Sequence, residues 1–203
     1  MASNAWSVGR SLAPLLGLNA FAAYLMTAQG VVTPFLATTW NLSDSEITFL
    51  AGVISLGALG TVVLTRLADR SGRRRLLLTS FLAALVLSVA SGFAESLASY
   101  ALLQLLLLAA AGSIQVGASV AVSEQTAESE RPVGQSWYGF TAALASGIPF
   151  FLAPALAGIA GGWRWMWIAA ALMALVGPFL RRALDETRRF ERAQAAGPPS
   201  GRG

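Results

Sequence analysis

Six long apolar segments constrain this sequence more than any other feature. A transmembrane helix needs about 20 mostly apolar residues, and such segments recur along the chain with only short polar joints between them. They predict helices over residues 12–38, 46–66, 76–94, 98–122, 133–159 and 163–181. Because a chain in lipid must satisfy its backbone hydrogen bonds internally, the pattern predicts an all-α membrane protein, a bundle of six transmembrane helices.

The composition supports this class and excludes several others. Hydrophobic residues make up 55% of the chain and charged residues 12%, against roughly 25% charged residues in soluble domains. The chain contains no Cys and no His, which excludes disulfides, thiolate chemistry, imidazole metal ligands and His-based catalytic sets. We therefore predict that the protein is not an enzyme and uses no metal or cofactor.

The arginines predict the orientation of the bundle. All 14 basic residues are Arg, and only Arg164 falls outside the joints and tails of one side. Because basic joints stay in the cytoplasm, both termini are predicted to be cytoplasmic, in a multi-pass protein of the cell (plasma or inner) membrane. The net charge of +4 does not predict a nucleic-acid partner, since these residues sit at the ends of apolar runs. A cleaved signal peptide ending near Ala22 is disfavoured because the first apolar run continues to Ala37.

The joint between the second and third predicted helices carries the most specific motif. It reads Leu67-Ala68-Asp69-Arg70-Ser71-Gly72-Arg73-Arg74-Arg75. Gly72 permits a tight turn, and Asp69 is an acid at a helix end, where it can pair with an Arg. This order resembles the signature loop of the major facilitator superfamily, G-x-x-x-D-R-x-G-R-R, with Thr65 in place of the leading Gly.

Other segments are similar to the metabolite and sugar porter branches of that family. The matching positions are Tyr24, Gly30 and Pro34 in the first helix, Glu124 and Arg131 with the E-x6-R spacing, Gly162-Trp163-Arg164-Trp165, and Leu184 to Phe190 as a variant of P-E-S-P-R. The resemblance implies half of a major facilitator fold, the amino-terminal six-helix half, over residues 1–192. Residues 193–203 are predicted to form a disordered tail or the start of the linker between halves.

The resemblance also implies a charge network that gates the cytoplasmic face. Its members would be Asp69, Arg70, Gly72, Arg73, Arg74, Glu124, Arg131, Glu186 and Arg189. Exposed ion pairs are individually worth about 0–1 kcal/mol, but a network that breaks on opening can bias a two-state equilibrium. The alternative is that these charges only solvate the ends of the helices.

Polar side chains within the apolar segments are candidates for a substrate cavity. They are Asn19, Tyr24, Thr33, Gln115, Ser119, Tyr138 and Thr141. Hydroxyls and amides with an aromatic predict an uncharged or weakly polar solute. The alternative is that Ser and Thr bond their own helices and that amides bridge neighbouring helices.

Two features qualify the transport hypothesis. Proton-coupled relatives carry an Asp at the position of Leu25 and often an Arg at that of Gln104, so proton coupling through this half is not predicted. The chain also has half the usual number of spans, so alternating access needs a second six-helix half. That half could be a second copy or a separate chain, or the sequence could be a truncation. The rival hypothesis is a non-transporting membrane scaffold or sensor that kept the fold.

Overall fold

The predicted all-α architecture is confirmed by a computed structural model. The structure describes Val8 and residues 12–172, without the side chains of residues 68–71. The helices are α1 (Ala13–Thr39), α2 (Asp44–Ser55), α3 (Gly57–Ser71), α4 (Arg73–Gly92), α5 (Leu97–Gln125), α6 (Arg131–Ala157) and α7 (Trp163–Ala169), with a 3-10 turn at Glu128–Glu130 before α6. The bounds of α1, α4, α5 and α6 lie within three residues of the predicted ones.

Five segments of the described chain are long and apolar enough to cross a membrane. They are Ala13–Thr39, Asp44–Leu67, Arg73–Gly92, Leu97–Gln125 and Glu128–Ala157. The sixth predicted helix begins at Trp163 as expected, and its part beyond residue 172 lies outside the described residues, as does the predicted tail 193–203.

The second span differs from its prediction because it consists of two helices. The predicted segment 46–66 begins at Asp44, is interrupted at Leu56 and continues to Ser71. The earlier start follows from a capping box, in which the Ser43 backbone N–H donates to Glu46 Oε2 at 2.8 Å and Ser43 Oγ accepts from the Glu46 N–H at 3.4 Å. The interruption lies beside Gly57, whose backbone packs directly against the Leu105 carbonyl of α5.

The helices α1 and α5 form the centre of the bundle. In each, 61% of the most apolar window is buried, against 17% in Asp44–Leu67 and 11% in Glu128–Ala157. The helix α1 packs along both α5 and α6, and α5 also packs against α3 and α4. The second and fifth spans therefore present most of their apolar surface outward.

The end of the bundle opposite the arginine-rich joint is closed by an aromatic cluster, which we call the aromatic end. Trp40, Tyr100, Trp163 and Trp167 meet edge to face, with ring centroids 5.6–6.3 Å apart. Tyr100 and the last two tryptophans are at most 1% exposed. Beside them, Arg164 lies over the Trp163 ring at 4.7 Å and donates to the Gly92 carbonyl at 2.8 Å. Large buried aromatic area thus joins α1, α5 and α7 at this end.

Candidate functional site

The arginine-rich joint turns on a single glycine. Gly72 is buried and has φ of 90°, in the region that residues with a Cβ rarely adopt. It separates the end of α3 from the start of α4 and so places Arg73 and Arg74 on the first turn of α4. The sequence motif therefore places its arginines at a helix start, where the helix dipole disfavours a cation.

An ion pair offsets this unfavourable position. Arg73 Nη1 lies 2.6 Å from Glu124 Oε2, and both side chains are mostly buried, at 28% and 17% exposure. Glu124 sits in the last turn of α5, where the dipole disfavours an anion by about 0.3–1 kcal/mol. Each charge thus lies at the end of its own helix where the dipole disfavours it. The ion pair offsets this only while the start of α4 lies against the end of α5.

A second set of contacts joins the end of α5 to the start of α6. Arg131 Nε donates to the Ser123 carbonyl at 3.2 Å. Gln135 Nε2 donates to Ser123 Oγ at 2.8 Å and to the Ser119 carbonyl at 3.1 Å. Gln135 is not among the residues predicted from the sequence. Its spacing of four from Arg131 puts both side chains on one face of α6, which is the signal that could have found it.

The structure describes only part of the predicted charge network. It brings Arg73, Glu124 and Arg131 to the ends of three neighbouring helices. Arg74 is half-buried beside them. The side chains of Asp69 and Arg70, and all of Glu186 and Arg189, lie outside the described residues. Their place in the network stays a prediction.

Three of the predicted cavity residues form a polar seam between helices. Asn19 is fully buried, and its Nδ2 donates to the Tyr138 carbonyl of α6 at 2.8 Å. The Tyr138 hydroxyl donates in turn to the Gln115 carbonyl of α5 at 2.9 Å. The seam Asn19–Tyr138–Gln115 links α1, α6 and α5 through main-chain acceptors. It leaves the half-buried Gln115 amide without a hydrogen-bond partner among the described residues.

The remaining predicted cavity residues make helix contacts. Tyr24 donates to the Met166 carbonyl of α7 at 2.7 Å. Thr33 and Thr141 donate to carbonyls of their own helices, at Gln29 and Trp137, both at 3.0 Å. Ser119 is half-buried, and its carbonyl accepts from Gln135 of α6. The hydroxyls of Tyr24, Thr33 and Thr141 are thus satisfied by main-chain carbonyls, as side chains in a membrane interior require.

A narrow crevice between α1 and α5 brings together the two positions at which proton-coupled relatives carry charges. Its lining is Leu25, Met26, Gln29, Gln104, Leu107, Leu108 and Ala111, and it has no room for a water molecule. Gln104 is 1% exposed, and its Nε2 has no hydrogen-bond partner in the described part of the chain. Leu25 and Gln104 therefore line the same crevice, which contains amide side chains and no ionisable group.

Comparison with known proteins agrees with this arrangement. The sequence pattern of the Major Facilitator Superfamily matches residues 15–201. The human solute carrier family 2, facilitated glucose transporter member 10, is 33% identical over 178 residues, which are 85% of this chain and 33% of that protein. NiaP of Bacillus subtilis (strain 168), whose name assigns it provisionally to niacin/nicotinamide transport, is 28% identical over 161 residues, 77% of this chain and 39% of NiaP.

A solved structure shows the same fold. The inward-open xylose transporter XylE from E. coli superposes with a TM-score of 0.75 at 17% identity, over 95% of this chain and 50% of that one. The predicted half-facilitator fold is therefore confirmed, and the chain spans about a third of the length of the curated relatives described above. The family match over nearly the whole chain, on a bundle of apolar helices, shows that this protein is a multi-pass integral membrane protein of the Major Facilitator Superfamily.

Proposed function

We propose that this chain is one six-helix half of a membrane transporter, which moves a small solute by alternating access together with a second half. The observation that carries the proposal is the exposure of two spans. Only 17% of the apolar window of Asp44–Leu67 and 11% of that of Glu128–Ala157 are buried, whereas the first and fourth spans are 61% buried. Membership of a transporter family supports a role in transport and disfavours an enzyme.

The second half is tested by crosslinking, for which the absence of Cys gives a clean background. Phe151 on α6 is 84% exposed, and Val86 on α4 is 66% exposed. If a second copy supplies the other half through α6, Phe151→Cys forms a disulfide dimer in native membranes and Val86→Cys does not. A crosslink from Phe151→Cys to a separate six-helix chain supports the other form of the proposal. Monomers at both positions contradict both forms.

Transport itself is tested with the solutes that the relatives' names suggest. Nicotinamide and glucose are both uncharged, in keeping with a polar seam of amides and a hydroxyl and with a crevice whose only polar side chains are amides. We propose that solute is bound by side chains among Asn19, Tyr24, Thr33, Gln115, Ser119, Tyr138 and Thr141. Uptake of either radiolabelled solute into liposomes, abolished by Gln115→Leu and retained by the matched surface variant Val116→Leu, supports this cavity. No uptake of any tested solute by an assembled complex favours the scaffold or sensor instead.

Proton coupling through this half is not part of the proposal. The crevice that holds Leu25 and Gln104 has no ionisable side chain, and intramembrane ionisable groups are the usual proton carriers. Uptake into liposomes is therefore expected to be the same with and without a pH gradient. Stimulation by an inward proton gradient would contradict this part of the proposal and leave transport itself intact.

We further propose that the arginine-rich joint gates the cytoplasmic side, with both termini in the cytoplasm. The Arg73–Glu124 pair supports this because it joins two helix ends by charges that each helix alone disfavours. Asp69→Asn is expected to reduce flux while the amount of folded protein stays unchanged. Unchanged flux would remove the gating role from Asp69.

The cytoplasmic location of the amino terminus is tested separately with an introduced amino-terminal Cys. Labelling of this Cys only in permeabilised cells would support that location.

A further inference from the structure

One face of α4 is exposed from Arg75 to Val86, is half-buried at Val89 and Ala90, and is exposed again at Phe93 just after the helix. The exposed positions recur with helical spacing at Arg75, Thr79, Leu82, Val86 and, just after the helix, Phe93. Leu82 is 57% exposed, and Val86 and Phe93 are each 66% exposed. The opposite face is buried against the bundle, at Leu77, Ser80, Phe81, Ala84 and Ser88. We call the exposed set the α4 stripe.

The length of the α4 stripe matches the apolar thickness of a bilayer. Arg75 and Phe93 are 18 positions apart, which at about 1.5 Å per residue is about 27 Å. The hydrocarbon core of a bilayer is about 30 Å thick. The stripe therefore runs from one polar boundary of the membrane to the other, with its only charge at one boundary and an aromatic ring at the other. This distribution fits acyl chains lying along the helix, while the barely buried second and fifth spans offer the larger surfaces to a protein partner.

The guanidinium of Arg75 lies at the charged boundary of the stripe. Arg73, two residues earlier, is held by Glu124 at 2.6 Å. Arg75 is exposed and forms no ion pair or side-chain hydrogen bond within the described part of the chain. The neighbouring Thr79 hydroxyl is already used, because it donates to the Arg75 carbonyl at 2.8 Å. Among the described residues nothing occupies the Arg75 guanidinium donors, which lie at the end of the apolar stripe, where lipid phosphates are expected.

We propose that Arg75 binds the phosphate of an anionic phospholipid whose acyl chains lie along the α4 stripe. A guanidinium offers two parallel N–H donors that match two phosphate oxygens. The Arg-rich surroundings of this joint, including exposed Arg66 at the end of the preceding helix, disfavour a lipid with a cationic headgroup and favour one with net negative charge. Lipid binding at this site is a property of the single six-helix unit, and it does not depend on transport or on a second half.

The test is native mass spectrometry of the purified full-length chain in detergent with equal amounts of phosphatidylglycerol and phosphatidylcholine. The wild-type chain is expected to retain phosphatidylglycerol in preference to phosphatidylcholine. Arg75→Gln is expected to lower phosphatidylglycerol retention about fivefold, the factor that corresponds to one basic residue at a membrane surface. Retention of phosphatidylcholine should not change, because its acyl chains meet the same stripe.

Two controls separate this site from bulk charge and from free phosphate. Arg202→Gln lowers the net charge by the same unit in the carboxy-terminal tail, and its lipid retention should equal that of the wild type. Arg75→Lys keeps the charge without the two parallel N–H donors of a guanidinium, and it should retain an intermediate amount of phosphatidylglycerol.

Equal losses in Arg75→Gln and Arg202→Gln, or no loss in either, would overturn the proposal. Displacement of phosphatidylglycerol by an equal concentration of inorganic phosphate would overturn it as well, since the acyl chains would then contribute nothing. Circular dichroism melting of Arg75→Gln must match the wild type.

Discussion

The two ends of this bundle are closed by different forces. At the aromatic end, Trp40, Tyr100, Trp163 and Trp167 bury large rings against one another. At the arginine-rich end, the Arg73–Glu124 pair and the Arg131 contact to Ser123 join helix ends through single directional bonds. Buried area is lost only by pulling the helices apart, whereas a partly exposed ion pair can be exchanged for water at little cost. This difference supports the proposal that α1, α5 and α7 stay together at the aromatic end while the arginine-rich end opens.

The largest expected effect is at the aromatic end. Trp163→Ala removes a ring that is 1% exposed and touches two other members of the cluster, so the free energy of unfolding should fall by about 3–5 kcal/mol. The matched control is Trp165→Ala, because Trp165 is 55% exposed two residues away on the same helix. Unfolding in SDS, followed by circular dichroism, measures both. Equal effects of the two variants would show that the cluster does not hold this end.

A smaller effect is expected midway between the ends, where α3 touches α5. A Cβ added at Gly60 would lie 2.7 Å from the Ala109 Cβ, whereas one added at Gly52 would meet nothing within 4 Å. Overpacking costs about 1–3 kcal/mol, and replacing a helical Gly by Ala returns up to about 1 kcal/mol. Gly60→Ala should therefore destabilise the protein by about 1 kcal/mol, and Gly52→Ala should be neutral or stabilising in the same unfolding assay. A destabilised Gly52→Ala would refute close packing as the cause.

At the arginine-rich end, the stability effect should be smaller still. Glu124→Gln removes the anion of the ion pair, and the free energy of unfolding should fall by no more than about 1 kcal/mol, since both side chains keep some contact with water. A double-mutant cycle with Arg73→Gln measures the coupling of the two charges and its decrease in high salt. A coupling as large as the loss in Trp163→Ala would break the contrast between the two ends.

Hydropathy predicted most of the fold, and motif spacing named the members of the charge network, because both are local properties of the sequence. The pairing of Arg73 with Glu124 was not predicted, since it depends on how α4 packs against α5. At about 100° per residue Asn19, Gly30 and Thr33 lie on one face of α1, but this periodicity does not tell what covers that face. The structure covers it with α6 at Asn19, which is fully buried, and leaves it open at Gly30. The interruption at Leu56 depends on the neighbouring helix α5 and was equally out of reach, whereas the place of Gln135 beside Arg131 could have been found from its spacing.

The smallest predicted effect concerns the Asn19–Tyr138–Gln115 seam. It lies between the two ends and consists of neutral hydrogen bonds, neither stacked aromatic rings nor an ion pair. Tyr138→Phe removes the hydroxyl that donates to the Gln115 carbonyl at 2.9 Å and keeps the ring and the main-chain acceptor of Asn19. Interhelical hydrogen bonds in membranes average about 0.6 kcal/mol, so the unfolding free energy should change by about that amount. Thr141→Val is the control, because its hydroxyl donates only within α6, at 3.0 Å and 3.1 Å. If Tyr138→Phe instead costs several kcal/mol, the seam holds the helices together as firmly as the aromatic end, and opening at the arginine-rich end must then break it as well.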